Sequence, residues 1–202
     1  MKKKLLAGIL CIAAIGIIGC GKKETNDEPQ TIVEENTEEK NEAIDVADAT
    51  QLLTDVWATY EEAEMFPIGG GDFDNTVMDA PGKYDVTKVE DMDAVLGLPQ
   101  NSAALIDDAA SMMHMMNANT FTCGAYHVAD AANVQTLADS LKDNIMNRQW
   151  MCGFPDTLIV VSVGEDYVVS AFGNAEIIET FKTKLQAQYE ASEVLYEESL
   201  VE

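Results

Sequence analysis

From Asp45 onward, apolar positions recur at spacings that divide the chain into alternating helices and strands. Val46, Ala49, Leu53, Val56, Tyr60 and Ala63 stand three or four residues apart, which predicts an amphipathic helix ending before Pro67. The next stretch, from Ile68 through Gly69, Gly70, Gly71 and Asp72 to Lys83, is polar and punctuated by Gly and Pro, and reads as loop. Short helices are expected at Val89–Leu96, ahead of Pro99, and over 103–110. Residues 111–116 and 120–128 read as strands joined by Asn117, Ala118 and Asn119, since asparagine tolerates turn geometry. Asp130 then caps a helix carrying Val134, Leu137, Leu141 and Ile145 on one face. Two apolar runs, 158–163 and 167–172, flank Gly164, Glu165 and Asp166 as a hairpin, and Asn174 caps a last helix with Ile178, Phe181 and Leu185 inward.

Tightly connected strand pairs separated by helices favour an α+β class: an antiparallel sheet built from two β-hairpins with helices packed on it, preceded by an N-terminal helix. The domain is expected to span 45–192. Residues 193–202 read as an acidic tail with room for a short edge strand around Val194 to Tyr196.

The N-terminus follows a different pattern. Lys2, Lys3 and Lys4 precede an uncharged apolar run over 5–18, then Gly19 and Cys20. A basic start and a run shorter than the ~20 residues that cross a bilayer describe a secretory signal peptide. Its ending, Ile17, Ile18, Gly19 and Cys20, resembles the lipobox of bacterial lipoproteins. That resemblance implies transfer of a diacylglyceryl group to the Cys20 thiol and cleavage just before it, so that 1–19 is a discarded leader and 20–44 a lipidated cysteine with a flexible linker. Residues 21–44 hold eight acids and three lysines and almost nothing apolar. Such a segment cannot bury a core, and as a coil it reaches roughly 25–30 Å.

A second resemblance rests on the order of elements, with Met115, Met116 and Asn117 leading into one hairpin and Gly153, Phe154 and Pro155 ahead of the other. It is similar to a family of small bacterial lipoproteins carrying a domain of unknown function, over roughly 45–189. The resemblance implies export and an α+β fold, and carries over no catalytic residue.

Composition narrows the partners. The 202 residues hold 36 Asp and Glu against 12 Lys and Arg, a formal charge of −24, yet 47% are hydrophobic, enough for a core. Loss of the leader would remove three lysines and no acid, making the remainder more acidic still. Arg148 is the only arginine and the body has no lysine stripe, so nucleic acid is excluded as a partner. Anionic lipid headgroups would also repel this body within a Debye length of about 8 Å, which leaves the lipid on Cys20 as the anchor. The expected partners are therefore the membrane, through that anchor, and an envelope protein, peptide or wall component.

Candidate chemistry is sparse. With Cys11 in the leader and Cys20 lipidated, Cys123 and Cys152 remain, either as a structural disulfide or as two unpaired thiols. They lack the Cys-x-x-Cys spacing of thiol catalysts. The run Met112, Met113, His114, Met115, Met116 has soft donors suited to Cu(I), with Cys123 and His127 near in sequence. On a strand, Met112, His114 and Met116 face one way and Met113 and Met115 the other, so at most three could meet an ion; core packing is the competing use of these methionines. Asp72, Asp74, Asn75 and Asp79 suggest a calcium loop, but the sixth and twelfth positions are Val77 and Lys83 where an EF-hand needs Gly and Glu. The triple glycine lacks the strand before it and the Gly-Lys-Ser/Thr ending of a phosphate cradle. There is no Gly-x-Ser-x-Gly and no His-Glu-x-x-His, and no cofactor motif. The expectation is a non-enzymatic envelope module with no cofactor, the alternative being a copper-handling or thiol-active protein.

Overall fold

A computed structural model describes residues 44–151 and 154–201. The leader, Cys20, the linker to residue 43, and Cys152 with Gly153 lie outside the described residues. Helix α1 (Ala49–Trp57) begins where the Asp48 side chain accepts a hydrogen bond from the Gln51 amide, and it buries Ala49, Leu52, Leu53 and Val56. It is shorter than its periodicity suggested; Tyr60 reaches the same core from the turns that follow. Helix α2 (Val89–Leu96) has the expected bounds and stops at Gly97, whose φ of 77° is the left-handed conformation of a helix terminator.

One antiparallel sheet of eight strands organises the fold. Strands β4 (Ile106–His114) and β5 (Phe121–Val128) form one expected hairpin, and β6 (Thr157–Val163) and β7 (Tyr167–Gly173) the other. The hairpins join through β5 and β7. Helices α3 (Val134–Met146) and α4 (Ala175–Gln188) fall where the sequence places them, with Asn174 accepting from the Glu176 and Ile177 amides at the start of α4.

Three regions differ from expectation. Residues 103–110 are not a helix: a 3-10 turn over Gln100–Leu105 runs directly into β4. Ala109 and Ala110 lie on opposite faces, both fully buried, so pairing with β5 and packing on two sides override alanine's helix preference. The stretch 68–83 contains short strands β1 (Ile68–Gly70), β2 (Val77–Met78) and β3 (Gly82–Lys83). Strands β1 and β3 both pair with β4, at Met113 and His114 and at Ala110 and Ser111 respectively, and a Cβ on Gly70 would come within 2.1 Å of the Gly82 nitrogen. The glycines thus serve close backbone approach, which residue periodicity does not reveal. Finally, the edge strand expected around Val194 to Tyr196 is present but longer: β8 (Ser192–Ser199) takes up most of the acidic tail and is hydrogen-bonded along the whole of β6. Its far edge stays charged, and Lys182 of α4 bonds Glu197 while the Tyr196 hydroxyl donates to Asp139 of α3.

The strand order is β2-β1-β4-β5-β7-β6-β8, with β3 beside β4. Both faces are covered. Alternation along β5 sends Phe121, Cys123 and Ala125 to a core shared with α1 and α4, and Tyr126 and Val128 to a second core shared with α2 and α3. Cover on two sides explains why 158–163 and 167–172 are almost uninterrupted apolar runs.

Candidate functional site

At one end of the second core the sheet and helices leave a cavity of about 590 Å³, inside the range of roughly 300–1,000 Å³ typical of small-ligand sites. Strand ends contribute Gly69 and Gly70 from β1 with Gly71 just after it, Met113 and His114 from β4, Thr122 from β5 and Phe172 from β7. The walls are Ala94 and Val95 of α2, Tyr84 after β3, the turn with Met115 and Met116, and the segment Arg148 to Met151 after α3. Phe73, Met116 and Met151 stand open to solvent at the rim, 72%, 82% and 81% exposed. Large apolar side chains left open around one concavity mark a binding surface, and thioethers adapt their shape to what they meet.

Arg148 gives this apolar wall its cation. It follows the end of α3, and its guanidinium lies over the rings of Trp150 and Phe172, 5.3 and 6.0 Å from their centroids, while Nη2 donates to the Asp93 carbonyl oxygen at 3.3 Å. Burial lowers its pKa, opposed by the Asp93 charge, but a guanidinium stays protonated at neutral pH. No carboxylate oxygen among the described residues pairs with it. Asp93 itself is engaged elsewhere: Oδ1 accepts from Asn144 at 3.0 Å and Oδ2 from Gln100 at 3.3 Å. Tyr84, 1% exposed in the same wall, has a hydroxyl with no hydrogen-bond partner.

The loop after β1 adds Asp72 and Thr76 to the cavity lining and is tied by Asp72. Its buried carboxylate accepts from the Asp74, Asn75 and Asp85 amides, from the Asn75 side chain and, at 2.5 Å, from Lys88 Nζ, which also bonds Asp74. Burial alone would raise the Asp72 pKa; Lys88, Asn75 and the amides outweigh it and hold the carboxyl well below the usual range. The acids that suggested calcium thus enclose a lysine ammonium, and Asp79 occupies a left-handed turn position at φ 59°.

The soft-donor candidates are dispersed. Met112 is sealed in the first core, and the His114 ring stacks on Phe66 at 5.4 Å with Nδ1 accepting from the Met116 amide at 3.1 Å. Met116 lies beyond the end of β4, so the expected three-residue face holds only for Met112 and His114. Cys123 is a free, fully buried thiol whose pKa desolvation drives upward, and its possible disulfide partner Cys152 lies outside the described residues. His127 is held between two carboxylates, Nδ1 with Asp107 Oδ1 at 2.5 Å and Nε2 with Asp166 Oδ2 at 3.2 Å. Among the described residues no group of three or more His, Cys, Asp or Glu side chains is placed to hold a metal ion.

Sequence reasoning passed over Arg148, Trp150 and Tyr84. The usable signal was that the sole arginine of an acidic chain stands two residues from a tryptophan. No family model matches the chain, and no curated protein or solved structure matches it either.

Proposed function

We propose that the chain is an extracytoplasmic lipoprotein, anchored by lipid on Cys20, that presents a non-enzymatic binding domain whose ligand site is the cavity at the end of the second core. The observation that carries this reading is the pairing of a solvent-open methionine and aromatic rim with one guanidinium that has no carboxylate partner. The basic start, the apolar run and the lipobox-like ending at Cys20 support the anchor, and the acidic 21–44 spacer supports a domain held away from lipid.

Two measurements test it. Radiolabelled palmitate should enter the wild-type protein and not Cys20→Ala; equal labelling refutes the anchor. For the site, Ala94 lines the cavity from an exposed helix position, so Ala94→Trp fills the space without entering the core. The full chain in proteoliposomes should bind small apolar probes above the level of Ala94→Trp in identical vesicles. Equal uptake by the two, with the variant folded by circular dichroism, would remove the cavity from the proposal.

A further inference from the structure

We infer that the cavity takes a monoanionic carboxylate borne on an apolar chain, with the Arg148 fork on the carboxylate and the methionine and aromatic wall around the chain. The inference rests on reading the cavity as the ligand site and adds the chemical class of what fills it.

The positive end is specific. The Arg148 guanidinium sits over the Trp150 and Phe172 rings, and the one hydrogen bond that it makes among the described residues is from Nη2 to the Asp93 carbonyl oxygen. A guanidinium has five N–H donors arranged in forks that match a carboxylate with two parallel bonds. The acids nearest in the fold are already used, Asp93 by Asn144 and Gln100, and Asp72 by Lys88 and its ring of amides. The ring contacts and the bond to the Asp93 carbonyl hold the guanidinium in place in advance, which reduces the ordering cost of gripping an anion.

A second polar group agrees. The Tyr84 hydroxyl is buried in the same wall with no partner, and a buried hydroxyl left unpaired costs free energy that an incoming acceptor would recover. A carboxylate offers two oxygens, enough for the arginine fork and a further donor.

Charge count limits the anion to one unit. Among the described residues Arg148 is the one Lys or Arg in the cavity lining, within a chain of formal charge −24; Asp72 lines the cavity too, its charge paired with Lys88, and the Asp93 carbonyl backs the guanidinium. A phosphate monoester carries ~1.5–2 negative charges at neutral pH, more than Arg148 can offset there. The remainder of the ligand is uncharged and mainly apolar: the wall around it is largely methionine, aromatic and aliphatic, with neutral polar groups such as Thr122 and Gln149 and the Lys88-paired Asp72 among them. A free aliphatic acid and the C-terminus of an apolar peptide share this chemistry.

The test uses the full chain in proteoliposomes, with Ala94→Trp vesicles as the blank. Octanoate, octanamide, octyl phosphate and acetyl-leucyl-leucine with its amide are the probes. Octanoate or acetyl-leucyl-leucine should bind above the blank, with the corresponding amide weaker by about 10-fold or more, the scale of a hydrogen bond to a charged group. Whichever acid binds more tightly assigns the source. Arg148→Gln should lower acid binding by about 10-fold and leave amide binding unchanged, and Arg148→Lys should fall between them. Tyr84→Phe should weaken acid binding several-fold without lowering the Tm, because its hydroxyl bonds nothing in the fold. Equal binding of acid and amide, or octyl phosphate binding more tightly than octanoate, overturns the carboxylate class while leaving the cavity reading intact. If no probe exceeds the blank, the cavity reading itself fails.

Discussion

Gly70→Ala should be among the most damaging single-methyl substitutions in the chain, and its neighbour supplies the control. A Cβ built on Gly70 would lie 2.1 Å from the Gly82 nitrogen, 2.5 Å from the Pro81 carbonyl carbon and 2.6 Å from the Ser111 oxygen. All three are backbone atoms, so no side chain can swing aside. Restoring ordinary contact means moving β1 from β3 by about 1 Å, and both strands are bonded to β4. Overpacking costs roughly 1–3 kcal/mol, and loss of one or two ladder hydrogen bonds adds about 1 kcal/mol each, for a total of about 2–5 kcal/mol. At this chain length that lowers the Tm by roughly 4–20 °C. At Gly69 the added methyl meets only the Met115 Sδ at 2.6 Å, the end of a flexible, 43% exposed side chain. The entropy lost by the unfolded chain on Gly→Ala, worth about 0.4–1 kcal/mol, offsets that displacement, so Gly69→Ala should stay within about 1 kcal/mol of wild type. Thermal and urea unfolding followed by circular dichroism measure both. Equal shifts at the two positions, or a Gly70→Ala variant within 1 kcal/mol of wild type, would refute the close-approach account of the glycine triplet.

Further predictions concern titration and the sheet edge. Burial opposes charge on His127, but the hydrogen bonds and charges of Asp107 and Asp166 prevail and raise its pKa above 6.5. Its contribution is therefore complete below pH 6.5 and lost as pH rises through the folded value, so His127→Gln should flatten the decline in urea midpoint across that window. Asp72 behaves in the opposite sense. Its lowered pKa gives stability that is present above pH 3.8 and lost as pH falls through the folded value, so Asp72→Asn should show a shallower acid limb than wild type. Ending the chain after Tyr189 removes β8 and leaves the β6 edge unpaired, together with the Tyr196 to Asp139 bond. Size-exclusion chromatography should then show self-association, and a monomer as stable as the full chain would contradict the structural role given to the tail.

Element-level legibility followed the strength of the local signal. The helix capped by Asn174 was readable because burial at helical spacing coincides with a capping side chain, and the helix carrying Leu137, Leu141 and Ile145 from its spacing alone: Asp130 caps the 3-10 turn ahead of it, accepting from the Ala132 amide, and α3 itself starts without a side-chain cap. The 158–172 hairpin was readable because its apolar runs enclose a Gly-containing turn, where Gly164 adopts φ 62°. Alanines at 109 and 110 carried no such signal: their preference is helical, and only pairing with β5 makes them strand. In the site, Met112 and Cys123 offered soft donors in sequence beside the packing reading, and the fold decides for packing, since both lie on the face covered by α1 and α4.

Sequence alone determines the α+β domain pattern from residue 45 onward, and it marks off from that pattern a basic start, an apolar run ahead of Cys20 and an acidic 21–44 stretch, because charge, apolar spacing and capping residues act locally. Tertiary structure decides what those elements do together. Joining the hairpins through β5 and β7, enlisting the tail as β8 and threading β1 past β3 depend on contacts between residues far apart in the chain. The same holds for Arg148. Its solitude is visible in the composition, but only the fold sets it on Trp150 and Phe172 at the mouth of a cavity, with the carboxylates behind it already bonded to other groups.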